Sequence, residues 1–174
     1  MAEPLRVLGV DPGSFRTGWG LVSGTANEPV LIDCGVLRLP SRAAFPDRLH
    51  RLLEDLGSLL GRLAPSAAAV ESPFHGTNAR AALQLAHARG VVLAALGAAS
   101  IPVTEYTPAT VKLAVTGAGR ADKEQVRKMV RRLLGGGWTG SGVADESDAL
   151  AVALCHLATL RYRAAVSRAA ARRR

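Results

Sequence analysis

Apolar residues in the first quarter of the chain fall in short runs that predict β-strands. Leu5–Val10 is rich in branched residues and stops at the turn signal Asp11-Pro12-Gly13. Thr17–Val22 and Val30–Leu39 look like two further strands, separated by a short polar turn. Strands this close in sequence pair antiparallel, because a parallel partner needs a long crossover connection. We therefore predict a three-stranded antiparallel meander at the start of the chain.

The rest of the chain alternates between helix and strand patterns. Leucines recur at steps of three and four through Phe45–Leu63, which predicts an amphipathic helix. Strands are predicted at Ala67–Val70 and Ile101–Tyr106, and helices from Asn78 to about Ala99, from Asp122-x-x-Gln125 onward and from near Asp145 to about Tyr162, with a helical turn after Pro108. This order indicates an α/β fold with a mixed five-stranded sheet flanked by helices.

Length and charge add a domain boundary and a class of partner. The 174 residues suffice for one domain with a buried core, which we expect over residues 1–162, followed by a basic, flexible tail over 163–174. The formal charge is +8, yet six arginines and no acid follow His156, so residues 1–156 carry only +2. A strongly basic balance is typical of proteins that bind nucleic acid, although the tail also suits a solvated arm.

Several protein classes are excluded by composition. The two cysteines form no CxxC pair, so neither a zinc ribbon nor a disulfide framework is indicated. No signal peptide is visible. The longest uncharged apolar stretch, Val91–Val103, has 13 residues, short of the roughly 20 that span a bilayer. We therefore expect a soluble cytoplasmic protein with no membrane partner.

Acidic residues follow apolar segments at three places. Asp11 ends the first predicted strand, Glu71 ends the fourth, and Asp145 and Asp148 share one face at the start of the last helix. Strand ends and helix starts are where sites collect in α/β sheets. Each acid alone also fits a turn, a strand end or a helix cap. Together they predict a cluster of carboxylates, which Mg²⁺ or Mn²⁺ would neutralise.

A set of motifs occurs in one order along the chain. They are Gly9-Val10-Asp11-Pro12-Gly13, Thr17-Gly18-Trp19-Gly20, Val70-Glu71-Ser72-Pro73-Phe74, Ala86-His87-Ala88-Arg89-Gly90, Gly117-Ala118-Gly119-Arg120-Ala121-Asp122-Lys123 and Ala144-Asp145-Glu146-Ser147-Asp148. Asp-Pro-Gly alone is a weak signal. The ordered set resembles the RuvC family of Holliday-junction resolvases over about residues 5–160.

This resemblance implies a fold, an activity and partners. It implies an RNase H-like fold and a homodimer. It implies an Mg²⁺-dependent endonuclease, with two ions per active site and Mn²⁺ able to replace Mg²⁺. The expected substrate is four-way junction DNA, cut by paired nicks in recombination and repair, and the expected partner proteins are the RuvA and RuvB branch-migration proteins.

The resemblance also assigns roles to residues of this chain. Asp11, Glu71, Asp145 and Asp148 are the expected catalytic and metal-binding acids, with Asp145 at a position where the family sometimes holds His. Phe74 is expected to contact bases near the junction, after an atypical Ser72-Pro73. Residues implicated in DNA contact are Lys112, Arg120 and Lys123, with Lys123 also a candidate for catalysis.

Three other functions remain compatible with parts of the sequence. One is another RNase H-like nuclease that acts on RNA, the second is a DNA-binding module without catalysis, and the third is an ATPase of the actin-like superfold, for which the chain is short. Two features also stay open. Trp138, in the glycine-rich segment Gly135–Gly142, has no physical explanation, and the small residues Ala86, Gly90, Ala94 and Gly97 suit either core packing or an interface between chains.

Overall fold

The structure is a computed structural model that describes residues 5–72, 78–138 and 144–171. Its elements, in chain order, are β1 (Arg6–Asp11), β2 (Arg16–Gly24), β3 (Pro29–Arg38), α1 (Phe45–Leu63), β4 (Ala67–Glu71), α2 (Ala79–Ala98), β5 (Val103–Tyr106), α3 (Pro108–Thr116), α4 (Lys123–Leu133) and α5 (Ala144–Ala171). The predicted order of strands and helices is confirmed.

The strands form one mixed sheet in the order β3-β2-β1-β4-β5. β1, β2 and β3 pair antiparallel, as the short connections predict. β4 joins the other edge of β1 in parallel, and β5 extends the sheet in parallel beyond β4. Because β1 and β4 are parallel neighbours, their carboxyl ends, Asp11 and Glu71, lie at the same end of the sheet.

Helices cover both faces of the sheet. Buried leucines such as Leu52 and Leu56 hold α1, together with α2, against one face. α3, α4 and α5 form the layer on the other face, with Val111, Val130 and Leu150 in its core. Fully burying a leucine or valine contributes about 1.5–3 kcal/mol, so these two apolar layers fix the helices on the sheet.

α5 lies in direct contact with the backbone of the central strands. A Cβ atom at Gly18 of β2 would stand 2.0 Å from the carbonyl oxygen of Asp145, and one at Gly9 of β1 would stand 2.0 Å from that of Ala149. No side chain larger than hydrogen fits at either position. The two glycines therefore let the first turns of α5 reach the end of the sheet where Asp11 lies.

The end of α5 differs from the prediction. The helix was expected to end near Tyr162, but it continues to Ala171, because alanines and arginines prolong it without a glycine or proline. Near its expected end, Arg161 donates a hydrogen bond of 2.5 Å to the side chain of Asn27, in the turn between β2 and β3. The domain boundary at residue 162 and the flexibility of residues 163–174 stay predictions.

Two other local predictions can be compared with the structure. The helical turn after Pro108 is longer than expected, since α3 has 9 residues and is capped after Thr116 by Gly117 in a left-handed conformation. The capping box of α4 is confirmed, with Asp122 and Gln125 each bonded to the other's backbone N–H.

Trp138 now has a physical explanation. Its side chain is only 3% exposed and belongs to the core on the α5 side of the sheet. Burying this aromatic side chain anchors the residues that directly follow α4. Residues 139–143 of the predicted glycine-rich loop lie outside the described residues.

The outer face of α2 is apolar and exposed. Ala86, Gly90, Ala94 and Gly97 are all exposed, and a Cβ atom at either glycine would meet no atom within 4 Å. Of the two explanations left open for these small residues, core packing against the sheet is therefore wrong. By length and hydropathy alone, α2 is also apolar enough to cross a membrane, although Ala88, Val92, Ala95 and Leu96 of the same helix lie in the core.

Candidate active site

Asp11 and Glu71 lie side by side at the carboxyl ends of β1 and β4. The parallel register pairs Val10 with Val70, so the two acids occupy the next position on neighbouring strands. Their side chains are hydrogen-bonded to each other. Ser72 secures this end of the sheet, because its hydroxyl donates a 3.1 Å hydrogen bond to the Tyr106 carbonyl at the end of β5.

The first turns of α5 bring two more carboxylates to the same edge. The charges of Asp148 and Asp145 both act on Asp11 and raise its pKa. Side-chain exposure is 22% for Asp148 and 31% for Asp145, so both carboxylates are partly buried. The structure thus brings together the acids that the sequence placed on three separate elements.

Burial and mutual repulsion make this cluster reluctant to ionise completely. Burial, followed by the charges of Glu71 and Asp148, raises the pKa of Asp11 to about 8. Burial, followed by the charge of Asp148, also raises the pKa of Glu71, against the lowering effects of Asp11, Lys123 and Lys112. Without added positive charge, a proton is therefore retained between Asp11 and Glu71 near neutral pH.

Two lysines stand at the α3–α4 side of the acids. Lys123, at the start of α4, places its Nζ 3.3 Å from Oδ2 of Asp148, and this carboxylate raises the pKa of the lysine. A cleft of about 240 Å³ opens beside this ion pair, and Lys112 of α3 lines it together with Glu71, Lys123 and Asp148. The lysine side chain is a compact point charge, which suits contact with a phosphate oxygen.

Two other predicted site residues are not tied to the acids. Arg120 is exposed in the loop before α4, and in the described part of the chain no ion pair joins it to a carboxylate. Phe74 lies outside the described residues. The expected roles of both in DNA binding stay predictions.

The family model of the crossover junction endodeoxyribonuclease RuvC matches residues 7–156, which include all four acids. This chain belongs to the RuvC family. A RuvC from Anaeromyxobacter dehalogenans is 48% identical over 152 residues, covering 87% of this chain and 80% of the relative. One from Trichlorobacter lovleyi is 47% identical over 159 residues, covering 91% and 88%.

Solved structures give the same picture. A structure of Thermus thermophilus RuvC in complex with a Holliday junction substrate matches with a TM-score of 0.84 and 34% identity, over 91% of this chain and 96% of that one. The yeast mitochondrial Holliday junction resolvase has the same fold, with a TM-score of 0.65 at 14% identity. The RNase H-like fold is therefore confirmed, and the actin-like ATPase is excluded by the family.

RuvC-family enzymes are metal-dependent nucleases, and the acids of this chain fit a metal by their chemistry. Carboxylate oxygens from β1, β4 and α5 are hard ligands, and burial and mutual repulsion raise the pKa values of Asp11 and Glu71, an effect that a bound cation would oppose. Among residues 5–72, 78–138 and 144–171, however, no three Asp, Glu, His or Cys side chains are arranged to hold an ion. Asp145 and Asp148 are paired with basic side chains, which a metal would have to replace.

One residue of the site escaped sequence reasoning. Arg16, the first residue of β2, places Nη1 3.9 Å from Oδ2 of Asp145. Only the packing of α5 on β2 brings these residues together, so no local motif could have predicted the pair. His156 of α5 is buried, and its Nδ1 lies 2.8 Å from the Tyr106 hydroxyl. That contact joins α5 to the end of β5, where Tyr106 is paired with Glu71 in the parallel register.

Proposed function

We propose that this protein is an endonuclease that resolves four-way DNA junctions by paired, symmetric nicks in homologous recombination and repair. The observation that carries the proposal is the cluster of Asp11, Glu71 and the two acids of α5 at one end of the sheet, beside Lys123. The match to the RuvC family over residues 7–156 and the fold shared with a RuvC bound to a Holliday junction support it.

The four acids would hold Mg²⁺, two ions per site, and Mn²⁺ would serve in its place. When bound, the metal supplies an activated water and stabilises charge on the phosphate. With a metal bound, release of the proton shared by Asp11 and Glu71 to solvent would be favoured, which leaves all four carboxylates ionised. Lys112 and Lys123 offer positive charge to the DNA backbone from the α3–α4 side, and Arg120 extends that basic surface.

The protein acts as a homodimer, because a four-way junction presents two equivalent strands and a two-fold axis places two equal sites on them. The exposed apolar face of α2, made of Leu83, Ala86, Gly90, Ala94 and Gly97, is the surface we assign to the partner subunit. Small residues permit close approach of two helices, and Leu83 is 61% exposed. A face this apolar costs free energy when it stays in water.

Other parts of the proposal rest on the resemblance alone. Phe74 stacks on a base near the junction, and the RuvA and RuvB proteins supply branch migration. Cys34 and Cys155 are free thiols, which suits the reducing cytoplasm. The arginine-rich end of α5 continues past the turn between β2 and β3, at the end of the sheet opposite to the acids, so we assign it a secondary, salt-sensitive contact with DNA.

A cleavage assay tests the function directly. The purified protein is incubated with a synthetic four-way junction, a linear duplex of the same sequence and a structured RNA, each with Mg²⁺, Mn²⁺ or EDTA. We expect two symmetric nicks in the junction with either metal and none in EDTA. Cleavage of the RNA in preference would support the other type of RNase H-like nuclease, and binding to the junction without cleavage would support the non-catalytic module.

A further inference from the structure

Two arginines face each other at the end of the sheet that holds the acids. Arg16 of β2 lies directly opposite Arg38 of β3 in the antiparallel register, and both are exposed. Opposite residues point to the same face of a sheet. Gly18, two residues after Arg16 and hence on the same face, contacts Asp145 of α5. Both arginines therefore lie on the α5 side, next to the acidic cluster.

The arginines stand across the acids from the lysines. Arg16 is 57% exposed and contacts Asp145 at 3.9 Å, whereas Lys123 is 80% exposed and contacts Asp148 at 3.3 Å. The two acids of α5 thus have a cationic side chain on each side. A DNA strand whose phosphate is cut at the acids would extend in both directions past them, toward positive charge each way.

The arrangement of the arginines itself calls for an anion. Like charges directly opposite on antiparallel strands destabilise the pair. Asp145 is near the guanidinium group of Arg16, but the guanidinium group of Arg38 makes no hydrogen bond or ion pair with any residue in the described ranges. Moreover, Asp145 is a ligand of the metal in the proposed function. The single carboxylate of Asp145, when it binds a metal, cannot also neutralise the two guanidinium groups of Arg16 and Arg38.

We propose that Arg16 and Arg38 form a binding site for a DNA backbone phosphate that neighbours the one being cut. The guanidinium group suits this ligand, because its planar set of N–H donors matches phosphate oxygens in pairs. The inference rests on the proposed function, and it adds a second contact point on the α5 side. The strand is then held on both sides of the cut.

Salt-dependent DNA binding is the test. Binding of a fluorescent four-way junction and of a linear duplex is measured by anisotropy in EDTA over a series of KCl concentrations, for wild type, Arg38→Ala, Arg38→Lys and Arg16→Ala/Arg38→Ala. Each lost phosphate contact makes the negative slope of log K against log salt shallower by about 0.9. We expect Arg38→Ala to weaken binding on the order of tenfold at moderate salt, since charge-assisted hydrogen bonds are lost. Arg38→Lys should keep the slope.

Arg51→Ala is the matched control, because it removes an exposed arginine of α1 that pairs with Asp55 and so makes the same change of charge. It should bind DNA like the wild type. Thermal melting adds a readout without DNA: Arg38→Ala should melt no lower than the wild type, since repulsion with Arg16 is relieved. If Arg38→Ala binds like Arg51→Ala, or loses affinity with no change of slope, the phosphate site is contradicted.

The two proposals fail separately. A wild-type protein that binds DNA but does not cut the junction contradicts the proposed function, and the slopes on junction and linear duplex still decide whether the arginine pair contacts phosphate. A wild-type protein that cuts the junction, with Arg38→Ala equal to Arg51→Ala in slope and affinity, contradicts the phosphate site alone.

Discussion

Lys123 and Asp148 meet across α4 and α5, with the lysine Nζ 3.3 Å from the carboxylate Oδ2. The lysine is 80% exposed, so this contact contributes little to stability. The contact matters because the lysine occupies the carboxylate of Asp148. In the proposed function a metal and Lys123 would compete for the same carboxylate, and a metal bound to Asp148 would leave the ammonium group free to contact a phosphate.

Replacement of Lys123 by alanine should therefore separate metal binding from turnover. We expect Lys123→Ala to need less Mg²⁺ for half-maximal cleavage, because its competitor for Asp148 is gone. At saturating Mg²⁺ the rate should fall about ten- to a hundredfold, since each lost 1.36 kcal/mol costs a factor of ten. Lys128→Ala is the control, as it removes a lysine of the same helix whose one ion pair in the described ranges is with Glu124. Equal Mg²⁺ curves for both variants would contradict the competition.

Removal of one charge from the proposed metal site should impair cleavage strongly and leave DNA binding intact. Asp148→Asn keeps the shape of the side chain and loses the charge, so we expect junction cleavage in Mg²⁺ to drop at least about a hundredfold, the effect of several kcal/mol of lost stabilisation. Junction affinity measured in EDTA should stay the same or rise, because a negative charge near the DNA is gone. Cleavage near the wild-type rate would refute the assignment of Asp148.

Stability without metal should fall as the pH rises, because Asp11 binds a proton more tightly in the folded protein than in the unfolded chain. Its folded pKa is about 8, against about 3.9 when unfolded, so its stabilising contribution is complete below pH 4 and is lost as the pH rises to 8. Between pH 5.5 and 8 the wild type should lose about 3 kcal/mol of unfolding free energy relative to Asp11→Asn, in the limit that Asp11 titrates alone.

Urea unfolding in EDTA at both pH values measures this difference. Comparison with Asp11→Asn is needed because burial lowers the pKa of His156, which makes the opposite contribution: stability that is lost as the pH falls through about 6.5. Added Mg²⁺ should restore the wild type at pH 8 and leave Asp11→Asn less affected. Parallel pH profiles for the two proteins would show that Asp11 ionises normally.

The exposed face of α2 leads to a prediction about assembly. A glutamate at Ala94, in the middle of the apolar face, should place a charge in the proposed interface and convert the dimer into monomers in sedimentation experiments. Monomers should lose paired nicking of one junction while each keeps its fold by circular dichroism. Ser58→Glu, on an exposed position of α1, should leave the dimer intact. A wild-type protein that is monomeric at all concentrations would contradict the assignment of this face of α2 to a partner subunit.

The sequence predicted the fold closely where local patterns determine it. The leucine repeat defined α1 at both ends, and the capping residues Asn78 and Asp122 located the starts of α2 and α4. The predicted end of α5 was wrong because the alanines and arginines after Tyr162 include no glycine or proline that would stop the helix.

The site was predictable in its acids and not in its basic contacts. Asp11 and Glu71 end strands whose parallel pairing follows from the α/β order, so their meeting could be expected. The contact of Arg16 with Asp145 depends on how closely α5 approaches β2. The position of Arg16 opposite Arg38 depends on the register between β2 and β3. These are long-range relationships, and neither leaves a periodic signal in the sequence.

The approach of α5 to β2 can itself be tested, because it depends on a missing side chain. Alanine at Gly18 would place a methyl group 2.0 Å from the carbonyl oxygen of Asp145, so the start of α5 must move away from the sheet. We expect a loss of about 1–3 kcal/mol of stability from overpacking. The rate of junction cleavage should fall to about one hundredth, since a displacement near 1 Å misplaces Asp145 and Asp148 relative to Asp11.

Gly57→Ala is the matched control, because it adds the same methyl group to α1 where nothing lies within 4 Å. That variant should gain about 0.5–1 kcal/mol and cut normally. Urea unfolding and single-turnover junction cleavage measure both effects, and a Gly18→Ala protein that is destabilised but fully active would show that the acids tolerate movement of α5.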